Sequence, residues 1–179
     1  IKKWFASEKN KLIAVGELKA QKNFLNLIHA IHFAKKNLDL DLDLLILGDG
    51  SERKKISKEV SALGLENNVL LAGWVDDPLP YFDQADLFVL SSDYEGFGVV
   101  IVEALSRGLN VVSTDCKSGP SEILSNGKFG FLCDVGNSES LAKEIKTALM
   151  NPKKPMDLVK RAEDFSENKI GKLYEDIIT

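Results

Sequence analysis

The sequence predicts an α/β fold on a doubly wound parallel sheet of about six strands, formed by residues 1–179 as a single domain. Three observations lead there. Short apolar runs that close at glycine or a polar turn alternate with stretches whose apolar residues recur at helical spacing. The alternation is regular along the chain, which means βαβ units with right-handed crossovers rather than hairpins. No linker, internal repeat or low-complexity tract divides the chain, and 179 residues suffice for one well-buried core.

The elements follow in order. Lys11 to Gly16 (KLIAVG) is a short apolar run ending in glycine, a buried strand. Phe24, Leu27, Ile28, Ile31 and Ala34 then repeat on one helical face through about Lys36. Leu44 to Gly48 is the second strand; Ser51 is placed to cap the next helix, which runs to about Leu63 and ends at Gly64. Asn68 to Ala72 is the third strand, and Asp77-Pro78 opens a short helix around Tyr81 and Phe82. Asp86 to Leu90 and Asn110 to Ser113 are the fourth and fifth strands, and Phe129 to Leu132 is read as the sixth. A helix spans Ser138 to Met150, and the C-terminal segment 154–179 reads as helical from about Asp157 with a break near Gly171.

One segment sets propensity against context. Val99-Val100-Ile101-Val102 is β-branched throughout and favours a strand. A strand has just ended at Leu90, however, and the pattern continues through Glu103-Ala104-Leu105-Ser106-Arg107 into Gly108, so 97–106 is assigned as a helix buried on all sides.

Composition narrows the function. Hydrophobic content of 44% with 28% charged residues is that of a globular protein, and a net charge of -4 argues against nucleic-acid binding. No apolar stretch approaches the roughly 20 residues of a membrane span, and no signal peptide is visible. The chain lacks an initiator Met and enters a strand-like segment almost at once, so it reads as a piece of a longer protein. Cys116 and Cys133 form no CxxC pair and are expected as reduced thiols in a cytosolic setting. His29 and His32 lie three apart on a helix, with no third metal ligand nearby.

In doubly wound sheets ligands bind outside the carboxyl ends of the strands. That selects the loops 16–22, 48–50, 73–77, 91–98 and 114–122. The most informative is Glu95-Gly96-Phe97-Gly98, followed after the apolar run by Glu103. An ionised carboxylate in apolar surroundings needs a partner. The amides of Phe97, Gly98 and Val99 at a helix start suit a phosphate or sugar, Glu103 a ribose diol, and Glu95 a reacting sugar. The alternative is a glycine turn before a core helix. Lys22 is placed to meet a diphosphate as a point charge, or to be a solvated helix-start lysine. Trp74 with Val75 and Asp76 either frames a base or packs. Gly48-Asp49-Gly50 reads as a plain turn, and Ser118-Gly119-Pro120-Ser121-Glu122 either closes over a sugar or simply connects. Asp39, Asp41 and Asp43 alternate with leucines before a strand, at the wrong end of the sheet for a site, and read as its solvated start.

Taken together, these motifs resemble the C-terminal domain of the GT-B retaining glycosyltransferases of family four. The resemblance rests on Gly16-Glu17-Leu18 with Gln21-Lys22-Asn23, Gly48-Asp49-Gly50, Gly73-Trp74-Val75, Ser91 to Gly98, Glu103-Ala104 and Ser118 to Glu122, and covers nearly the whole chain. It implies the donor-binding half of an enzyme moving a sugar from a nucleotide-sugar, UDP-linked for preference, to an oligosaccharide or lipid-linked acceptor. The N-terminal acceptor domain is absent from this chain. By resemblance Lys22 meets the diphosphate, the backbone of Trp74, Val75 and Asp76 the base, and Glu103 the ribose. Glu95 with Gly96, Phe97, Gly98 and Val99 holds the sugar and phosphate, Glu95 being the catalytic assignment. No metal or other cofactor is implied, and the fragment alone is expected to be inactive. The implied location is cytoplasmic, with peripheral attachment to the inner face of the membrane left open and expected to depend on the missing half.

The family usually has arginine where this chain has Glu17, which removes one of two cations expected at the diphosphate. A non-catalytic nucleotide-binding module derived from a transferase half is therefore the alternative. The Asp115-Cys116 and Ser118-Gly119-Pro120 variant is similar to transferases that build bacterial surface polysaccharides. A nicotinamide-binding domain is disfavoured, because Gly16 is not followed by the Gly-x-x-Gly that the dinucleotide fingerprint requires.

Overall fold

The computed structural model describes residues 1–166 and residue 169. In chain order the elements are α1 (Lys2–Phe5), β1 (Asn10–Val15), α2 (Phe24–Asn37), β2 (Leu42–Leu47), α3 (Arg53–Ala62), β3 (Val69–Gly73) and α4 (Leu79–Phe82). There follow β4 (Leu87–Leu90), α5 (Val99–Ser106), β5 (Val111–Thr114), α6 (Pro120–Ile123), β6 (Phe131–Cys133), α7 (Ser138–Met150) and α8 (Pro155–Glu163). All six strands are parallel, in the order β3-β2-β1-β4-β5-β6. The order reverses between β1 and β4, which is the switch point where such sheets leave a crevice.

Both faces of the sheet are covered, so its strands read as near-continuous apolar runs. The two-residue period still sorts them. Leu12, Leu44, Ile46, Leu87 and Val112 pack with Leu27, Ile31 and Ile56 of α2 and α3 and with Leu141 and Ile145 of α7. Ile13, Leu45, Phe88 and Val111 pack with Trp4, Phe82, Ile101, Leu105 and Leu158 on the opposite face. Each such side chain, taken wholly out of water, contributes roughly 1.5–3 kcal/mol.

The structure moves several sequence expectations. The first residues form the short helix α1 rather than leading straight into a strand; it is held by buried Trp4, whose indole donates to the Asp43 carbonyl at 3.2 Å. Ser51 does not cap α3: the helix follows Glu52 with no side-chain cap, and the Glu52 amide donates instead to the Leu18 carbonyl at 2.9 Å. The sixth strand starts at Phe131, because Phe129 is still in a turn with its amide on the Leu124 carbonyl. α8 begins at Pro155, ahead of Asp157, and the break expected near Gly171 lies outside the described residues. Asp43 is buried, since β2 is covered on both sides, whereas Asp41 is exposed; both carboxylates flank Lys9, at 3.5 and 2.9 Å.

The 97–106 segment is helical from Val99, as context demanded over propensity. Its burial is incomplete, however. Ile101, Ala104 and Leu105 are buried while Val99, in the first turn of α5, is 60% exposed.

Candidate functional site

The crevice at the switch point is built by two loops that are sewn together. The Ser91 hydroxyl donates to the Lys22 carbonyl at 2.9 Å and the Asp93 amide to the Gln21 carbonyl at 2.8 Å. Asn23, in left-handed conformation at the start of α2, donates from its side-chain amide to Asp93 at 2.7 Å. Lys22 completes the join, with its ammonium 2.7 Å from Glu95 Oε1 and the two side chains 18% and 7% exposed. The same carboxylate oxygen accepts from the Ser92 hydroxyl at 2.5 Å, and the Ser92 carbonyl accepts from buried Thr114 at 2.6 Å. A polar chain from β5 to the β1 loop thus fixes Glu95, and each buried polar group along it has a partner.

Backbone packing sets the walls. A Cβ on Gly48, at φ +139°, would fall 2.0 Å from the Gly16 carbonyl oxygen, so the β1 and β2 loops approach more closely than any other residue permits. The approach is secured by the Gly16 amide on the Leu47 carbonyl and the Leu18 amide on the Asp49 carbonyl. Gly48-Asp49-Gly50, read from sequence as a plain turn, is therefore a packing device beneath the site. Gly119 does the same on the far side: at φ +91°, its Cβ would fall 2.0 Å from the Phe97 carbonyl oxygen. The 118–122 segment buttresses the 96–98 turn from behind and passes into α6.

These walls enclose a cleft of about 570 Å³, within the range of small-molecule sites. Lys22, Trp74, Val75, Asp76, Glu95, Gly98, Val99 and Glu103 all line it, together with Gly16, Glu17 and Gly48. Two sequence-selected residues lie off its lining. Gly96 sits in the turn, and Phe97 packs edge-on against Phe165 with ring centroids 5.5 Å apart. α5 follows Gly98 with no side chain capping it, so the first turn of an eight-residue helix presents its amides at the cleft wall.

The two acids of the pair differ sharply. Glu95 is paired and doubly hydrogen-bonded. The carboxylate of Glu103, half-buried one turn into α5, has no hydrogen-bond partner among the described residues; burial and, secondarily, the Asp77 carboxylate raise its carboxyl above the ordinary range. Trp74 is 71% exposed with its indole on Asp76 at 3.3 Å, so it lies over the cleft mouth rather than packing in the core. Glu17, on the cleft wall, pairs with Lys19 at 2.7 Å. Cys116 and Cys133 are free and buried; burial pushes the Cys116 thiol up and the Cys133 thiol to about 12, so neither is a nucleophile at neutral pH.

Sequence reading included Asn23, Ser92 and Asp93 in its motifs but gave them no role; they hold the site without being its chemistry. The cluster Ser91-Ser92-Asp93 directly after a wholly apolar strand was the available signal.

With that geometry in hand, comparison with known proteins identifies the family. The sequence model described as "Glycosyl transferases group 1" matches residues 1–165. The chain is 37% identical over 142 residues to the N-acetylgalactosamine-N,N'-diacetylbacillosaminyl-diphospho-undecaprenol 4-alpha-N-acetylgalactosaminyltransferase of Campylobacter jejuni, covering 79% of this chain and 38% of that protein. It is 32% identical over 168 residues to the lipopolysaccharide core biosynthesis glycosyltransferase LpsE of Rhizobium meliloti, covering 94% of this chain and 47% of that protein. The crystal structure of Anabaena HepE in complex with UDP superimposes with a TM-score of 0.78 at 26% identity, covering 95% of this chain and 48% of that one. The chain spans less than half the length of each of these relatives. Its six-stranded sheet and its sequence agree: the chain belongs to the group 1 glycosyl transferases of GT-B fold.

Proposed function

We propose that this chain is the donor-binding half of a retaining glycosyltransferase that takes a sugar from a UDP-sugar and passes it to an oligosaccharide or lipid-linked acceptor. The observation that carries the reading is the pairing of Lys22 with Glu95 across the switch point, in a cleft where the Glu103 carboxylate has no partner among the described residues. An ammonium has three donors. One is engaged by Glu95, leaving two for the oxygens of a diphosphate at the cleft wall. The uncapped amides at the start of α5 supply further donors, so the charge developing on the leaving nucleotide is met without a metal. Glu103 accepts from the ribose diol, and the backbone from Trp74 to Asp76 frames the base. Glu95 stands beside the transferring sugar, where its negative charge favours positive charge developing at the ring. Attack on the same face as departure within an ion pair needs no nucleophile from the protein, and none is assigned. The UDP complex of the HepE relative supports uridine as the base.

The 179 residues span less than half the length of these relatives, and transfer by this segment alone is expected to be negligible. Glu17, where the family usually has arginine, favours a second reading as a nucleotide-binding module without catalysis. A screen of UDP-, GDP- and ADP-sugars by thermal unfolding tests both. Stabilisation of several degrees by UDP-sugars and less by the others is expected; no stabilisation by any nucleotide-sugar would sink the donor assignment. Turnover by a protein containing both halves would exclude the second reading.

A further inference from the structure

The charges that line the switch-point cleft are unbalanced. Four carboxylates, Glu17, Asp76, Glu95 and Glu103, line it against one cation, Lys22, whose ammonium already lies 2.7 Å from Glu95. Asp76 belongs to the end framed by Trp74, whose indole donates to it at 3.3 Å. Glu17 belongs with Lys22: it follows Gly16, on which a Cβ would lie 3.9 Å from the Lys22 ammonium nitrogen.

The backbone fixes Glu17 at the cleft wall. On one side of it the Gly16 amide donates to the Leu47 carbonyl at 3.0 Å. On the other, Leu18 is fully buried, with its amide on the Asp49 carbonyl and its carbonyl accepting from the Glu52 amide, both at 2.9 Å. A Cβ on Gly50 would fall 2.6 Å from the Leu18 carbonyl oxygen, so this contact has no slack. Among the described residues the Glu17 carboxylate has one ion-pair partner, Lys19 at 2.7 Å, and both side chains are more than half exposed. Lys19 lines a separate hollow with Asn23 and Lys55 and is not part of the cleft lining. An exposed pair of this kind holds its partners loosely. A ligand entering the cleft therefore meets the carboxylate at the wall, while the ammonium stands beyond it.

We propose that Glu17 is a specificity-determining residue that admits donors whose sugar bears no carboxylate, such as hexoses and amido sugars, and rejects those whose sugar is a uronic acid. This assignment rests on the donor-binding reading and narrows its sugar. With a diphosphate on Lys22, the one lining cation serves two phosphate charges and Glu95 at once. A carboxylate on the sugar adds a negative charge facing Glu17 and Glu95, and no other cation on the lining meets it. At about 4 Å in water two like charges repel by an amount worth about fivefold in affinity, and by more where water is excluded. Two such carboxylates give about tenfold discrimination or better.

The test is calorimetry of the 179-residue chain with UDP, UDP-glucose and UDP-glucuronate at low and at high salt. The wild type should bind UDP-glucuronate about tenfold more weakly than UDP-glucose at low salt, and the ratio should shrink in about 1 M salt, where exposed charges are screened. Glu17→Gln should bring the low-salt ratio down to about twofold, by removing one of the two repelling charges. Glu17→Arg should abolish the ratio and raise affinity for UDP itself severalfold, since a guanidinium then meets the diphosphate. Both variants change an exposed side chain, and their urea midpoints should match that of the wild type. UDP binding accompanied by equal affinities for the two sugars, by a ratio that salt leaves unchanged, or by a ratio that Glu17→Gln leaves unchanged would overturn the assignment of Glu17 and leave the donor reading standing. Failure of UDP and of both UDP-sugars to bind the wild type would overturn the donor reading and the role of Glu17 with it.

Discussion

Glu95 and Glu103 stand eight residues apart on the two sides of one turn, and the structure treats them in opposite ways. The region around Glu95 is closed: Lys22, Ser92 and, behind them, Thr114 satisfy the carboxylate before any ligand arrives. The region around Glu103 is open: the carboxylate is half-buried on α5 without a hydrogen-bond partner among the described residues, and its protonation is favoured by burial and by Asp77. A pre-satisfied acid fixes geometry and keeps a cation in place. An unsatisfied one pays a standing desolvation penalty that a ligand hydroxyl can relieve. On the proposed reading, the difference separates a residue that organises the site from one that waits for its occupant.

The largest expected effect comes from making the closed region resemble the open one. Lys22→Met leaves the Glu95 carboxylate with 7% exposure and no cation. Stability should fall by about 2–3 kcal/mol, somewhat under the loss for a fully buried pair, and nucleotide-sugar affinity should drop at least about tenfold. Adding Glu95→Gln should recover most of the urea midpoint but not the affinity. If the double variant is as unstable as the single, the pair is not what holds the loops.

A smaller effect of opposite sign is expected on the open side. The folded-state carboxyl of Glu103 lies above its unfolded value, so folding carries a penalty at neutral pH that vanishes as pH falls below the ordinary carboxylate range. Glu103→Gln should therefore raise Tm at pH 7, leave it unchanged near pH 3, and weaken nucleotide binding severalfold. Equal nucleotide affinity of variant and wild type in calorimetry would remove the ribose role. The smallest effect belongs to Trp74, 71% exposed at the cleft mouth. Trp74→Ser should leave Tm within about half a kcal/mol equivalent of wild type, as for surface substitutions generally, while reducing affinity for UDP by a few-fold. A large loss of stability would show that the ring packs rather than frames a base.

Much of this architecture was legible in the sequence. Strand-then-helix periodicity placed six strands and located the edge of the sheet at which the cleft opens. The apolar run at 99–102 was assigned correctly because what precedes and follows it outweighed β-branched propensity. What escaped is what depends on the third dimension. Nothing local says that Lys22 meets a carboxylate 73 positions away, since that requires β1 beside β4. Asp43 alternates with leucines like a surface acid, yet both faces of β2 are covered. Gly48 and Gly119 look like ordinary turn residues until the carbonyls that would collide with a Cβ are in view. Ser51 had the chemistry of a cap, but the Leu18 carbonyl took the amide of the residue that follows it.

The seam between β1 and β4 is narrow: two residue pairs, Leu12 with Leu87 and Ile13 with Phe88, against six between β1 and β2. Above that seam, the clasp joining the two half-sheets includes Lys22 and Glu95. On the proposed reading, structural and ligand-facing demands therefore fall on the same side chains. On that donor-binding reading, a mutational path toward a different donor could reshape Trp74 at the cleft mouth at little cost to the fold, but changing Lys22 or Glu95 would also loosen the mechanical join of the sheet. Divergence of specificity would then be channelled toward the outer rim of the cleft, its centre being held by architecture whatever the chemistry it serves.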